Sequence, residues 1–292
     1  MAKLTENDFF EVLEALLPED DEVVAIYSGL WTFAGGFGWP PDQMGERVLR
    51  LIEDFLGPDR TFVLPAYSFL DFARFRRFDL VRTMTETGAL PDAALACYAA
   101  GDRGWMRSRS AMNSYLVRGP RSADLLARPC TTAWGADGVL GWLCDVNARV
   151  CVLGVPWVSC SMMHHAEELQ MVPYRYFKRF AGTLFKDGQE IGPCVEVMYS
   201  RSLHAVPEWD ITGFGAELRA QGAVEVSDNR RIPMESGPAR EVHRVNSDLF
   251  AADPYCYITN KDVLESWIAN GKEAEVAGLK PEERWPQPAA AD

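Results

Sequence analysis

The sequence predicts an α/β fold, in which helices flank a central mixed sheet and a smaller β-rich part follows toward the C-terminus. Apolar runs of strand length alternate with segments of helical period. Two alternating runs around Lys186-Asp187-Gly188 predict a β-hairpin with a tight turn. An apolar content of 48% over 292 residues is enough to bury a large core. We therefore expect one α/β domain with an appended hairpin.

The elements can be predicted in chain order. A first strand in DEVVAIYSGL leads to an amphipathic helix in PPDQMGERVLRLIEDFLG, which has proline at its start and glycine at its end, and then to a second strand in RTFVLPAYS. Later strands are predicted in NSYLVRG, ARVCVLGV and AVEVSDN, and later helices in LPDAALACYAAG, RSADLLAR, ADGVLGWLCDVN, FGAELRAQG and KDVLESWIANGK. The basic, aromatic segment FARFRRFDLVRTMTETG is expected to form a long functional loop. We predict a single domain over 1–280, with a smaller β-rich lobe over about 174–250 and a flexible tail over 281–292.

Composition narrows the classes of function. A net charge of −13 argues against nucleic acids and anionic membranes as partners and would attract a cationic small molecule, although acidity also serves solubility. The chain shows no long apolar stretch and begins with an acidic amphipathic segment, so we expect a cytoplasmic protein. The seven cysteines are odd in number and form no CxxC pair, which argues against structural zinc and a disulfide framework. Oligomerisation stays open.

The most informative residues follow the apolar strand that ends in LGV. His164 and Glu167 are three apart at the start of a predicted helix and therefore share one face. A carboxylate beside an imidazole orients the ring and raises its pKa, as a general base near neutral pH requires. Three other interpretations remain: a solvated helix face, a metal site that uses His165 and Glu168 as well, and a nucleophilic pair of Cys160 with His164.

Two further segments could bind a ligand. The loop SGLWTFAGGFG after the first strand is rich in glycine, so its backbone amides could approach a ligand closely, although an ordinary strand-to-helix turn has the same composition. Arginines cluster in one third of an otherwise acidic chain, where they could hold phosphates or be solvated loop charges. Aromatic residues between them could stack on a purine. The arginines are Arg74, Arg76, Arg77, Arg82, Arg103, Arg107 and Arg109, and the aromatic residues are Phe72, Phe75, Phe78 and Trp105.

Several of these segments resemble the aminoglycoside 3-N-acetyltransferase family, in the family's own order. The similar blocks are VAIYSGLWTFAGGFG, TFVLPAYSF, FDLVRTMTETGALPDA, RSRSAMNSYLVRG and VLGVPWVSCSMMHHAEE. The last is the most specific, because the family pattern has LGV followed by HxAE, and here eight residues separate Val155 from His164. The resemblance implies the family's fold, acetyl-CoA as the co-substrate, no metal and a small-molecule amine as the acceptor. It implies that His164 is the catalytic base with Glu167 as its supporting carboxylate. With acetyl-CoA as co-substrate, the glycine-rich loop, the arginine cluster and the later serine offer as CoA-binding candidates Ser28, Gly29, Arg74, Arg77, Arg107 and Ser114.

The chain departs from the family pattern at three places. The family's HSSL reads Tyr27-Ser28-Gly29-Leu30 here, its RSxHP block reads RSRSA from Arg107, and its TPSxxG reads TMTETG from Thr83. Two histidines of the pattern are therefore replaced, at Tyr27 and Ser110.

These observations predict direct transfer of an acetyl group to an amine of an aminoglycoside or amino sugar. Amides near Ser28 and Gly29, with the hydroxyl of Ser28 or Ser114, are the predicted oxyanion donors. Carboxylates for a cationic acceptor are sought among Asp71, Glu86, Glu168, Glu208 and Asp210. Three alternatives remain: a biosynthetic N-acyltransferase acting on another small amine, a hydrolase that depends on Cys160, and a CoA-binding protein without catalysis.

Overall fold

The computed structural model describes residues 2–287, apart from the side chain of Ala34, and contains two sheets. The strands of the large sheet are β1 Val23–Ser28, β2 Thr61–Pro65, β4 Met106–Arg107, β5 Tyr115–Arg118, β6 Arg149–Leu153, β9 Glu225–Val226 and β10 Met234–Pro238. These seven strands are in the order β4-β5-β2-β1-β6-β10-β9. The central strands β1, β2 and β6 are parallel, and β5 and β10 join them antiparallel on either side. The predicted central mixed sheet is confirmed.

Helices cover both faces of the large sheet, and the core is correspondingly divided into two apolar clusters. One cluster includes Phe9, Val48 and Leu90 from the helices on one face. The other includes Leu143, Ala166 and Val242 from helices on the opposite face. The helices are α1 Glu6–Leu16, α2 Ala34–Phe37, α3 Met44–Leu56, α4 Phe69–Phe75, α5 Ala89–Ala99, α6 Ser122–Leu126, α7 Val139–Asp145, α8 Met162–Leu169, α9 Gly213–Ala220, α10 Ala239–Ala252, α11 Lys261–Asn270 and α12 Lys272–Ala277.

The small sheet is built on the predicted hairpin. Strands β7 (Arg175–Lys186) and β8 (Gln189–Arg201) are antiparallel, and Asp187 and Gly188 form a two-residue loop with φ values of 49° and 81°. Positive φ at both positions is the requirement of a type I′ turn, which Asp-Gly satisfies. A short strand β3 (Arg77–Asp79) adds parallel to β7.

The boundaries of the predicted lobe and loop differ from the structure. The lobe was expected over about 174–250, but β9 and β10 lie in the large sheet and β3 comes from the N-terminal half. The segment expected to be a long loop covers residues 72–88. Its first part forms the end of α4 and β3, because the fully buried rings of Phe72 and Phe78 anchor it in the core, whereas residues 80–88 contain no helix or strand.

Part of the predicted flexible tail packs on the hairpin. The side-chain amide of Gln287 donates to the carbonyl of Phe177 and accepts from its N–H, both at 2.8 Å. Residues 288–292 of that segment lie outside the described residues. Within residues 2–287, no helix combines the length and apolar character needed to cross a bilayer.

Candidate active site

The candidate site lies where three parallel strands end. Parallel strands place their carboxyl ends at one edge of a sheet, so the loops after β1, β2 and β6 meet there. Ser28 is paired with Leu153 in the last register position of β1 and β6. A β-carbon on Gly29 would lie 2.5 Å from Cγ1 of Val155, and one on Gly154 would lie 2.5 Å from the carbonyl oxygen of Gly29. Glycine at both positions therefore allows the loops after β1 and β6 to touch.

The loop after β6 leads into α8, which carries the predicted pair. Nδ1 of His164 lies 2.5 Å from Oε2 of Glu167, and the Glu167 side chain is fully buried. A carboxylate only accepts hydrogen bonds, so Nδ1 is the donor and Nε2 is left as the basic nitrogen. The structure thus brings together the two residues predicted to act as base and orienting carboxylate.

Two residues of the following segment complete the environment of Glu167. The hydroxyl of Tyr174 donates to Oε1 at 2.7 Å, and the guanidinium of Arg175 lies 2.9 Å from Oε2. Burial acts to raise the pKa of Glu167, but the charges of Arg175 and His164 and the bonds from His164 and Tyr174 hold that pKa below its usual value. The carboxylate therefore stays ionised although it is shielded from solvent.

The protonation of His164 follows from the same surroundings. Burial lowers the pKa of His164, Glu167 partly opposes this, and the nearby Arg175 lowers it further. The imidazole is consequently neutral near pH 7, as a proton acceptor must be. Its ring lies 5.2 Å from the indole of Trp134 and 6.1 Å from that of Trp209, between centroids.

His164 borders a groove of about 790 Å³, which we call the acceptor groove. Its walls come from the β2–α4 connection, from α8 and from the hairpin. A second hollow of about 510 Å³, the Ser28 channel, is lined by Ser28, Gly29 and Trp31 and by the N-terminus of α5. Tyr67, Glu86 and Ser159 line both. The two hollows therefore share a border, and His164 lines the larger of them.

Two predicted CoA-binding residues do not fit this geometry. Arg107 is 4% exposed, and its guanidinium donates to Ser114 Oγ at 3.0 Å and to backbone carbonyls of residues 66 and 83 at 3.0 Å and 2.6 Å. Ser114 is fully buried and donates to the carbonyl of Ala66. Both side chains hold the β2–β5 region together, so neither can contact phosphate or a thioester.

Some of the predicted oxyanion donors are already hydrogen bonded within the protein. The N–H of Gly29 donates to the carbonyl of Leu153 at 2.8 Å and is already satisfied. Ser28 is partly exposed in its channel and keeps a hydroxyl that bonds to no described residue. The phenol of Tyr67 faces both hollows and hydrogen bonds to Tyr115 at 2.7 Å and to Ser161 at 2.8 Å.

The basic segment is divided between surfaces. The guanidinium of Arg74 lies over Phe75, and that of Arg77 lies over Phe185 beside a separate shallow hollow. Arg76, between them in sequence, lines the acceptor groove instead. The predicted stacking on a purine fails for Phe72, Phe78 and Trp105, because all three rings are buried. Trp31, which is 82% exposed in the Ser28 channel, offers such a surface.

A Cys160 nucleophile does not fit the structure. Its side chain is fully buried, it does not line the acceptor groove, and burial raises its pKa to about 12. A neutral thiol in apolar surroundings is a poor nucleophile. The predicted hydrolase alternative therefore loses its nucleophile.

Metal-ligating side chains lie elsewhere. Among described residues, donor atoms of Cys144, His165 and His243 lie within 4.8 Å of one another. His165 is 2% exposed, with Nδ1 2.5 Å from the carbonyl oxygen of Trp134, and burial lowers its pKa to about 4. His165 thus faces away from His164, and the four residues His164, His165, Glu167 and Glu168 do not share a metal site.

Comparison with known proteins identifies the family. The family model of aminoglycoside 3-N-acetyltransferases matches residues 36–250. The chain belongs to this family. The chain spans a little over half the length of the curated relatives it matches. It is 31% identical to aminoglycoside N(3)-acetyltransferase IX of Micromonospora chalcea over 165 residues, which is 50% of this chain and 57% of that protein. It is 26% identical to aminoglycoside N(3)-acetyltransferase VII of Streptomyces paromomycinus over 165 residues, 50% of this chain and 56% of that protein.

Solved structures of the family share the fold. The apoenzyme of AAC(3)-IVa aligns with a TM-score of 0.68 at 15% identity, over 90% of this chain and 97% of that one. AAC-IIIb in its binary complex with CoASH aligns with a TM-score of 0.67 at 17% identity, over 88% and 98%. AAC-VIa bound to sisomicin gives 0.67 at 13% identity, over 86% and 98%.

The departures from the family pattern now have positions in the structure. Tyr27, where the pattern has histidine, is 3% exposed, and burial raises the pKa of its phenol well above the usual value. Its hydroxyl lies 3.5 Å from that of Tyr115. Ser110 replaces the second histidine and donates to Glu196 at 2.8 Å. Neither replacement supplies a base.

Sequence reasoning missed the residues that support Glu167. Tyr174 and Arg175 lie seven and eight positions after it, at the start of β7, and no known spacing links them to HxxE. The signal available was the run of aromatic and basic residues in PYRYFKR. Interpreting that run requires knowing that β7 passes beside α8.

Proposed function

We propose that this protein is an acetyl-CoA-dependent N-acetyltransferase that acetylates an amine of an amino sugar or aminoglycoside-like acceptor. The observation that carries the proposal is the neutral His164, oriented by an ionised Glu167, in a groove that shares a border with the Ser28 channel. Family membership supports the reaction class. The relatives named for aminoglycosides, and the one solved with CoASH, support the donor and the type of acceptor.

In this proposal the two hollows take the two substrates. The pantetheine of acetyl-CoA would enter by the Ser28 channel, where the N-terminus of α5 has no side-chain cap and presents free N–H groups. The acceptor amine would enter by the groove that borders His164. The donor is made in the cytoplasm, so we propose a cytoplasmic location.

The chemistry needs one base and no covalent enzyme intermediate. Nε2 of His164 takes a proton from the amine as its nitrogen attacks the thioester carbonyl carbon. When the tetrahedral intermediate collapses, the C–S bond breaks and the CoA thiolate leaves, taking the proton back from the imidazolium. The hydroxyl of Ser28, in its channel, and that of Tyr67, which lines both hollows, would stabilise the oxyanion.

Release of free thiol from acetyl-CoA, measured with a panel of amines, tests the proposal. We expect His164→Ala to lower kcat by about 10²–10⁴, the usual contribution of a general base. His204→Ala is the matched control, because His204 is exposed and lies outside the acceptor groove. Equal activity of His164→Ala and the wild type would refute the assigned base. Binding of acetyl-CoA without thiol release from any amine would favour a non-catalytic CoA-binding protein.

A further inference from the structure

The acceptor groove carries a charge opposite to that of the chain. The protein has a net charge of −13, yet the charged residues that line the groove are four cations and one carboxylate: Arg76, Arg175, Lys178, Arg201 and Glu86. We infer that the acceptor bears an anionic group, phosphate or carboxylate, beside its amine, and that it is not a polycation. This inference deepens the proposed function and rests on it.

The cations differ in how far they are already neutralised. Arg175 is committed to Glu167 and to the carbonyl of Tyr199. Arg201 is exposed and has no carboxylate within 4.0 Å among the described residues. Lys178 and Arg76 share one carboxylate, that of Glu283, at 3.2 Å and 3.8 Å. The wall therefore retains positive charge for a ligand.

One exposed carboxylate, that of Glu86, lines the groove, against four cationic side chains. Glu86 accepts from the backbone N–H groups of Leu70 and Asp71 at 3.0 Å and 2.9 Å and thus caps the start of α4. Of the five carboxylates that the sequence suggested for a cationic acceptor, the other four do not line the groove. They are Asp71, Glu168, Glu208 and Asp210.

Electrostatics then separates the two acceptor types. An aminoglycoside brings several ammonium groups, which would face four cationic side chains and one lining carboxylate, that of Glu86. An amino sugar with a phosphate or carboxylate would place its anion on those side chains and its amine toward His164. Nearby cations also lower the pKa of the substrate ammonium, which raises the fraction of nucleophilic free amine.

CoA is the other source of phosphate that could occupy these cations. We assign its pantetheine to the Ser28 channel, so removal of groove cations should weaken the acceptor and leave the donor unaffected. The experiment therefore measures whether the KM for the acceptor or the KM for acetyl-CoA changes.

The test compares kcat/KM for glucosamine 6-phosphate, glucosaminuronic acid, glucosamine and kanamycin at low ionic strength. We expect at least one of the two anionic acceptors to exceed glucosamine about tenfold, and kanamycin to be the poorest, since each partly exposed pair contributes severalfold at most. The anionic acceptor with the higher kcat/KM shows whether the groove prefers a phosphate or a carboxylate. Added salt should reduce the advantage.

Two variants assign the effect to the groove. Lys178→Gln with Arg201→Gln should remove the preference for the anionic acceptor and leave the KM for acetyl-CoA unchanged. Lys186→Gln, at the far end of the same hairpin, is the charge control and should change neither. A raised KM for acetyl-CoA in the double variant, or preference for kanamycin in the wild type, would overturn the inference.

Binding separates this inference from the catalytic proposal. Tryptophan fluorescence of the His164→Ala variant, with Trp134 and Trp209 in the groove, reports amine binding without turnover. Tighter binding of glucosamine 6-phosphate or glucosaminuronic acid than of glucosamine and kanamycin would support the anionic acceptor even if no amine were acetylated. Equal or reversed affinities would contradict it even if the enzyme were active.

Discussion

Three donors converge on the carboxylate of Glu167, and this convergence sets the protonation of His164, the proposed base. The fully buried carboxylate of Glu167 accepts hydrogen bonds from His164 and Tyr174 and forms an ion pair with Arg175. Burial and the guanidinium lower the pKa of His164, while Glu167 raises it. The ring is therefore neutral at physiological pH, and only its Nε2 can accept a proton.

The pH profile should report this balance. The wild-type acid limb of kcat/KM should lie below pH 6.5, the usual pKa of His, because activity is lost as pH falls through a lowered pKa. In Glu167→Gln the limb should move to still lower pH, since the charge that raises the pKa of His164 is gone while Arg175 remains. Loss of ring orientation should lower kcat by about 10²-fold or more. A limb that moves upward would contradict the assigned electrostatics.

Cys160 provides a second check at the residue scale. Its thiol is buried and neutral, so we expect Cys160→Ala to retain kcat within about twofold and to lose about 1 kcal/mol of stability through the small cavity. Thiol-release kinetics and urea unfolding measure the two effects. Activity abolished in a folded variant would revive the nucleophilic cysteine.

At the scale of elements, the hairpin is fastened to the large sheet's connections by a buried carboxyl group. Glu196 on β8 accepts from the N–H of Ala111 at 2.7 Å and from the hydroxyl of Ser110 at 2.8 Å. Burial raises the pKa of Glu196 to about 7. The neutral form is favoured in the fold, so its stabilising effect is complete below pH 4.5 and is lost as pH rises through about 7.

Glu196→Gln should therefore change stability in a pH-dependent way. The amide keeps the acceptor for Ala111 and carries no charge, so the variant should match the wild type near pH 5 and exceed it at pH 8. Burial raises the pKa of Glu196 from 4.5 to about 7, and each pKa unit corresponds to about 1.4 kcal/mol. The gain in the free energy of unfolding is therefore at most on the order of 3 kcal/mol. Urea denaturation at both pH values measures it, with Glu190→Gln on the exposed part of β8 as control. A gain of equal size at pH 5 would contradict the titration of Glu196.

For the whole molecule, local signals predicted the elements well. The apolar strands, the proline-to-glycine helix and the Asp-Gly hairpin depend on residues close in sequence, and the structure confirms them. Strand β10 was missed, because MESGP lacks β-branched residues and pairs only through tertiary context. Helix α10 was also missed, although its apolar residues recur at helical spacing.

The residues of the site also differ in whether their positions can be predicted from local sequence. His164 and Glu167 are one helical turn apart, so their contact follows from the sequence. The positions of the Arg76 and Arg107 side chains do not follow from the sequence, because they depend on which distant carbonyls and rings surround each guanidinium. Arg107 lies among the carbonyls of residues 66 and 83, whereas Arg76 faces the groove across from the hairpin. Burial of a charged side chain is a property of the assembled molecule.

The carboxylate shared by Arg76 and Lys178 belongs to residue 283, more than a hundred positions beyond the second of them. During synthesis, therefore, the wall of the groove is finished only after residue 283 has left the ribosome. Until then the nascent protein presents two additional uncompensated cations, and polyanions such as ribosomal RNA would compete for them. The groove wall around Arg76 and Lys178 is thus among the last parts of the molecule to reach the net charge that it has in the complete fold.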